Sequence, residues 1–523
     1  MSAVSACTPP GQPSPAGHNE HMSTPGEPPL TFGTAGLRGP MRPGPGGMNV
    51  ETVTAATWGL AKVLADRHLG GSTVVVGRDA RHHSDAFALA TAEVLAAHGF
   101  SVVLLPDPVP TPVVAFAVRR SGAAAGVQIT ASHNPPSDNG YKVYLDGGMQ
   151  IVPPSDRDIE AAMAAAPHDV PRSDVMPSDT GLIADYVRRA SEVRRGTSPV
   201  RVALTPMHGV GGEPALRVLR EAGITDVHVV AEQFAPDGDF PTVAFPNPEE
   251  AGATDLLLAL AADVDADVAI ALDPDADRCA VGIPTDSGWR MLSGDETGWL
   301  LGDYVLTQLD PGVVTAHAVV ASTVVSSRML ASIAAAHGAQ HVETLTGFKW
   351  LARGDADLPG STLVYAYEEA IGHCVDPSAV RDKDGISAAV LACDLVAELR
   401  AAGRTPSDAL DALALRHGVH VTAAVSVPAD AHLMQRLRTA PPSRLAGELV
   451  EVSDLLGRTD ALIYTGESVR VAVRPSGTEP KVKVYFEIRL PPRDDVAAAR
   501  GEAAERLDAL RADVVGLLQR GPN

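Results

Sequence analysis

Four short stretches of the chain concentrate reactive side chains. In the first, Thr130-Ala131-Ser132-His133-Asn134-Pro135, a hydroxyl stands beside an imidazole, and Lys142 follows. The apolar residues 123–129 before it read as a short buried strand. Residues 134–140 carry strong turn punctuation, and residues 141–144 resume an extended pattern. Ser132 therefore stands where a strand gives way to a loop, the place where a rigid scaffold usually presents reactive groups. A surface serine in a Pro-rich turn is the plainer alternative. A Ser-His hydrolase is disfavoured, because neighbouring side chains at a strand end are expected to point apart and no G-x-S-x-G elbow is present.

The second stretch, Asp273-Pro274-Asp275-Ala276-Asp277-Arg278, follows the apolar residues 268–272. Three carboxylates at alternate positions of a turn can converge on one point, and with a phosphate oxygen they suit Mg²⁺. An EF-hand is excluded, because Arg278 stands where that loop needs glycine and Pro284 where it needs its closing Glu. A solvated acidic turn would leave the mutual repulsion unrelieved. The third stretch is Tyr367-Glu368-Glu369-Ala370-Ile371-Gly372-His373. Its paired acids can accept hydrogen bonds from sugar hydroxyls, and a histidine with its ordinary pKa near ~6.5 suits proton transfer. The same residues also fit a charged helix start. The fourth, Arg474-Pro475-Ser476-Gly477-Thr478-Glu479-Pro480-Lys481, joins two cations, two hydroxyls and a glycine between prolines. It fits a phosphate nest, or else a hairpin loop with a solvated arginine. A Gly-rich turn at residues 32–40 adds Arg38.

These stretches need a scaffold, and the pattern between them supplies one. Val74-Val75-Val76, a small-residue loop, a helical run over residues 86–98, a glycine stop and a strand at 101–105 form one round. A second begins at Arg201 with the loop Thr205-Pro206-Met207-His208-Gly209, and a third at Val319. Repeated strand, loop, helix, glycine and strand predict βαβ units and an α/β fold with mostly parallel sheets. Each unit would offer one loop, at the carboxyl ends of its strands, to a shared cleft. Residues 419–427, 468–473 and 481–490 alternate like half-exposed strands, and a helical run closes the chain, predicting a smaller α+β unit. The expected division is a loose Pro/Gly/Ser-rich tail at 1–28, then units at 29–195, 196–305, 306–418 and 419–523.

Charge narrows the partners. With 42 basic and 64 acidic residues the net charge is −22, which repels nucleic acid and anionic lipid. An anionic substrate would need the cations gathered in one pocket. Four scattered cysteines do not form a disulfide framework. No apolar run reaches the ~18–20 residues needed for a bilayer span, and no signal-peptide pattern opens the chain. A cytoplasmic protein without membrane or nucleic-acid partners is the expectation; the oligomeric state is left open.

From about residue 30 onward, the four stretches in this order resemble the α-D-phosphohexomutases, the phosphoglucomutase/phosphomannomutase group. T-A-S-H-N-P together with D-P-D-A-D-R is highly specific, and R-P-S-G-T-E-P adds to it. The resemblance implies that Ser132 carries a phosphoryl group and binds Mg²⁺ together with Asp273, Asp275 and Asp277. It implies sugar contacts from Glu368 and Glu369, and phosphate contacts from Arg474, Ser476, Gly477, Thr478 and Lys481. It also brings Arg38, His133, Lys142 and Lys349 to the active site. The implied reaction interconverts a sugar 1-phosphate and a sugar 6-phosphate, glucose or mannose, through a sugar 1,6-bisphosphate. His373 and Lys142 are the candidate bases. The sugar loop lacks the serine of the common G-E-x-S pattern, and with T-G-F-K-W it looks closer to phosphopentomutase-like members and sugar-bisphosphate makers. Readings of another class are a phosphatase working through phospho-Ser132, and a non-catalytic sugar-phosphate binder. The latter would be expected to have lost Ser132 or an aspartate, and this chain keeps all four.

Overall fold

The computed structural model describes residues 29–32, 36–145, 147–178, 181–309, 317–430, 432–475 and 481–519. The expected tail at 1–28 and the loop residues Ser476, Gly477 and Thr478 lie outside them.

Val74, Val75 and Val76 are fully buried, as a parallel strand covered on both faces must be. They form the middle of β2 (Thr73–Arg78), which runs parallel to β3 (Ser101–Leu104) and β4 (Ala125–Ile129). β4 turns back antiparallel into β5 (Asp138–Leu145), which also pairs with β1 (Leu37–Pro40) and β6 (Met149–Gln150). The plan recurs twice. β7 (Arg201–Thr205) is parallel to β8 (Asp226–Val229) and β9 (Val268–Leu272), and β9 turns back into β10 (Cys279–Thr285), then β11 (Gly288–Met291). β12 (Ala318–Thr323) is parallel to β13 (Gln340–Thr344) and β14 (Thr362–Glu368), and β14 turns back into β15 (Gly372–Cys374). The parallel expectation thus holds for three strands in each of these units, and the returning hairpin strand makes all three sheets mixed.

The fourth unit is antiparallel. β16 (Val419–Pro428), β19 (Glu451–Asp454), β20 (Leu462–Thr465), β21 (Val469–Pro475) and β22 (Lys481–Leu490) line up in the order β16-β22-β21-β20-β19. A small pair, β17 (Arg444–Leu445) and β18 (Glu448–Leu449), lies beside them. Helix Val496–Gln519 packs across β16 and β22, as the α+β expectation required.

Two expected boundaries move. Residues 138–140 belong to β5 rather than to the preceding turn, because β1 pairs with them and extends the strand. The division expected at 305/306 falls inside helix Gly294–Gln308, which packs on β14 and on helix Met329–His337. A capping box between Ser293 and Glu296 starts that helix, so the third unit begins there. Helix Gly385–Ala401 is buried almost all round and wedges between the second and third units. Among the described residues no helix is long and apolar enough to cross a membrane.

Candidate active site

The connections β4–β5, β9–β10 and β14–β15 occupy the same place in three units. They are the Ser132, aspartate and Glu368-Glu369 stretches. Each holds a non-glycine residue at positive φ: Ser132 at 55°, Ala276 at 53° and Ile371 at 53°. Such residues cost about 1–3 kcal/mol each and persist only where neighbours hold them. In every unit the neighbour is the loop after the central strand. After β2, Arg81 donates to the carbonyls of Ser132, Asn134, Pro135 and Asp138. After β7, the Val210 N–H donates to the Pro274 carbonyl at 2.8 Å. Gly209 lies so close that a Cβ there would sit 2.3 Å from Pro274 Cα. After β12, the hydroxyls of Thr323 and Ser326 both donate to Glu369 Oε2 at 3.0 Å.

Ser132 is 2% exposed. Its Oγ donates to Asp273 Oδ2 at 2.9 Å, and Oγ also lies 3.1 Å from His133 Nδ1. The expectation that these neighbours point apart is therefore wrong: the left-handed backbone at Ser132 breaks the strand alternation and turns both side chains the same way. Burial, then the charges of Arg278 and Arg38, holds the His133 imidazole well below its ordinary value, so it is neutral.

Asp273, Asp275 and Asp277 are buried, with ligand oxygens within 4.8 Å of one another. Burial, then repulsion from the other two carboxylates, pushes Asp273 well up. Burial alone would raise Asp277 too, but the Lys142 and Lys383 ammonium groups more than reverse it. Lys142 Nζ donates to Asp275 Oδ2 at 2.7 Å and to Asp277 Oδ2 at 2.8 Å, and Thr111 Oγ1 donates to Asp275. Asp275 Oδ1 and Asp277 Oδ1 are buried without a hydrogen-bond partner. Three converging hard-oxygen donors, two of them with orphaned acceptors, fit a divalent cation such as Mg²⁺.

The Glu368-Glu369 stretch is a hairpin turn, not a helix start. Glu368 is 9% exposed, pushed up by burial, with Lys383 Nζ 4.0 Å from its Oε1. His373 is a correction. It pairs with Tyr367 across the hairpin, while Glu368 pairs with Gly372, so the two side chains lie on opposite faces. The His373 ring is fully buried, stacks on Tyr365 and Tyr367, and sits 3.1 Å from the Tyr365 hydroxyl. Burial pushes it down to about 3. It faces the core and is set aside as a base. Lys142 is set aside as well, because its ammonium is committed to two carboxylates.

Cations lie close to these loops. Arg38 donates to Asn134 Oδ1 at 3.5 Å, and Arg278 to Glu249 Oε2 at 3.4 Å. From the fourth unit, Arg474 donates to Thr346 Oγ1 at 3.3 Å and to the Tyr485 hydroxyl at 3.1 Å. The Nε atoms of Arg38, Arg278 and Arg474 are all buried without a partner, a donor set suited to an anion. Lys481 opens β22. Lys349 is buried on the short helix Phe348–Leu351, where its nearest influential charges are Asp156 and Arg353 rather than the aspartates. A cavity of about 710 Å³ lies between residues 248–254, 291–296 and 369–371 and strand β16, with Lys483 and Tyr485 on its wall.

Sequence reasoning missed Arg81, Thr111, Lys383 and the pair Thr323 and Ser326. Lys383 bridges two loops, since its Nζ lies 3.3 Å from Asp277 Oδ2 as well as near Glu368. Its signal was the charged run Arg381-Asp382-Lys383-Asp384 ahead of a long apolar helix.

Comparison with known proteins gives one family throughout. Residues 29–169, 184–286 and 293–416 match the families described as Phosphoglucomutase/phosphomannomutase, alpha/beta/alpha domains I, II and III. Residues 434–507 match Phosphoglucomutase/phosphomannomutase, C-terminal domain. A Haemophilus influenzae protein named "Probable phosphomannomutase" is 42% identical over 465 residues, covering 85% of this chain and 93% of that one. The Homo sapiens protein named Phosphopentomutase is 35% identical over 544 aligned residues, covering 92% of this chain and 88% of its own. The crystal structure of a phosphomannomutase-like protein from Thermus thermophilus superposes with a TM-score of 0.75 at 26% identity. It covers 94% of this chain and 100% of that one.

Proposed function

The chain belongs to the phosphoglucomutase/phosphomannomutase family and is a mutase of the phosphotransferase type. From that premise we propose that it interconverts hexose 1-phosphate and hexose 6-phosphate through phospho-Ser132 and a hexose 1,6-bisphosphate. One observation carries this reading: Ser132 Oγ lies 2.9 Å from Asp273 Oδ2, inside the three-carboxylate cluster.

In the first half-reaction a sugar hydroxyl oxygen bonds to the phosphorus of phospho-Ser132, and the bond from phosphorus to Oγ breaks. The hydroxyl gives up its proton as Oγ regains one, so no water or nucleotide is consumed. In the second half the other phosphoryl group of the turned bisphosphate returns to Oγ. His133 Nδ1 lies 3.1 Å from Oγ and, as a neutral imidazole, orients that oxygen through a hydrogen bond. Asp273, Asp275, Asp277 and Ser132 would hold Mg²⁺, which neutralises charge on the transferring group. Arg38, Arg278 and Arg474 supply fixed positive charge for the phosphates, with binding energy concentrated where charge is transferred. Glu368 and Glu369 are the acceptors for sugar hydroxyls. The cavity of about 710 Å³ is lined by Glu369, Lys483 and Tyr485 and adjoins the sugar loop on the side of the fourth unit.

A pentose reading stands second. With Ile371 and His373 buried, the hairpin turn offers the sugar little besides two carboxylates, which suits a ring with fewer hydroxyls. The similarity to a protein named Phosphopentomutase points the same way.

Following glucose, mannose, glucosamine and ribose 1-phosphates by ³¹P NMR ranks these substrates. Ser132→Ala should remove turnover on all of them and leave the melting temperature unchanged. A turning-over Ser132→Ala protein would end the phosphoserine mechanism.

A further inference from the structure

We propose that Arg81 is a positioning residue that sets the attack geometry of Ser132, which rests on the reading of Ser132 as the phosphoryl acceptor. Arg81 lies on the loop between β2 and helix Ser84–Ala97, far in sequence from the serine. Its Nη1 donates to the carbonyls of Pro135 at 2.8 Å and Asp138 at 3.2 Å. Its Nη2 donates to those of Asn134 at 2.7 Å and Ser132. One guanidinium thus ties four carbonyls of a single turn.

The side chain is 1% exposed. Its Nε stands 3.2 Å from Asp79 Oδ2, close enough to pair the charges though not in hydrogen-bond geometry. The Phe240 ring of the second unit covers it, 4.9 Å from Cζ to centroid. Asp79 is itself fixed by the Arg81 N–H at 3.1 Å and the Ser84 hydroxyl at 2.7 Å.

The consequence falls on Ser132. Its N–H donates to Thr130 Oγ1 at 2.8 Å and its carbonyl accepts from Arg81, so the peptide groups on both sides of the strained residue are anchored. Those two anchors hold φ at 55°, and that backbone aims Oγ at Asp273 and His133. Arg81 itself touches backbone, Asp79 and Phe240, and acts on the reaction through the serine. Lysine cannot replace it, because a single ammonium lacks the planar fork that reaches four acceptors.

The test uses the full chain, freed of phosphate, as wild type, Arg81→Lys, Arg81→Ala and Ser132→Ala. Each is mixed with Mg²⁺ and glucose 1,6-bisphosphate, and transfer of phosphate to Ser132 is timed by intact mass and peptide mapping. Steady-state kcat and KM are measured alongside. The expected result is a folded Arg81→Lys protein that acquires phosphate about 100-fold more slowly than wild type, the loss typical of a displaced reacting group. Its KM for the sugar phosphate stays near the wild-type value. Transfer at the wild-type rate, or a loss carried by KM instead of kcat, would overturn the role of Arg81 while leaving Ser132 in place. Failure of both Arg81 variants to fold would make the residue a structural one and also overturn it. Absence of phosphate on wild-type Ser132 would remove the phosphoserine reading, and this proposal with it.

Discussion

Gly385 is where the aspartate loop meets the helix that wedges the units together, and Gly385→Ala tests whether that contact sets the candidate metal site. A Cβ at this position would stand 2.3 Å from the Arg278 carbonyl oxygen and 2.8 Å from that of Ala276, where ordinary contact begins at 3.4 Å. The helix start cannot retreat easily. Asp384 caps the N–H groups of Ile386 and Ser387 at 3.1 and 3.2 Å, and the Gly385 N–H donates to the Ala276 carbonyl at 3.1 Å. The aspartate loop must therefore give way by roughly 1 Å, at a cost of ~1–3 kcal/mol in stability. A displacement of about 1 Å in a reacting array costs on the order of 100-fold in rate. The assay is kcat across a Mg²⁺ titration, with a thermal melt on the same protein. We expect kcat to fall by about that factor, half-saturation to move to higher Mg²⁺, and melting to drop by several degrees. A folded Gly385→Ala protein with kcat and Mg²⁺ response like wild type would refute the claim that the loop is rigidly seated.

The remaining predictions concern buried titrating groups. Asp295 lies in the first turn of helix Gly294–Gln308, accepting from the Ser327 N–H and the Tyr367 hydroxyl, both at 2.8 Å. Burial lifts it from 3.8 to about 7, so the folded chain keeps a proton that the unfolded chain releases. Stability from this group is full below pH 3.8 and is lost as pH rises to 7, a difference of about 4 kcal/mol. Asp295→Asn keeps an acceptor without the charge, so it should melt higher than wild type above pH 7 and flatten the decline below it; identical pH profiles for the two proteins would sink the argument. His373→Gln, which can still meet the Tyr365 hydroxyl, should keep kcat within a few-fold; a loss of about 100-fold or more, the scale of a general base, would return His373 to the chemistry.

Much of this site could be read along the chain because each reactive loop is a contiguous motif. Three aspartates at alternate positions converge however the domain around them packs, and Ser132 announces itself through the strand before it and the turn after it. His373 misled because its orientation depends on hairpin register, and neither spacing nor composition reveals which residue faces Tyr367. The braces were invisible for a related reason. Arg81 works on carbonyls more than fifty residues away, and backbone acceptors leave no mark on residue type. Thr323 and Ser326 read as ordinary loop hydroxyls until Glu369 is folded onto them. The boundary expected at 305/306 failed because a helix that packs forward onto later strands looks, in one dimension, like the end of the preceding repeat.

Ser132 and Asp273 are separated by 141 positions yet share a hydrogen bond. During synthesis the serine leaves the ribosome well before the aspartates that would hold its metal ion exist. A nascent first unit consequently carries Ser132 without the aspartate it pairs with, and a truncated chain ending before residue 273 cannot form that hydrogen bond. Phosphate on Ser132 would then serve as a certificate that at least two units had been made and had docked.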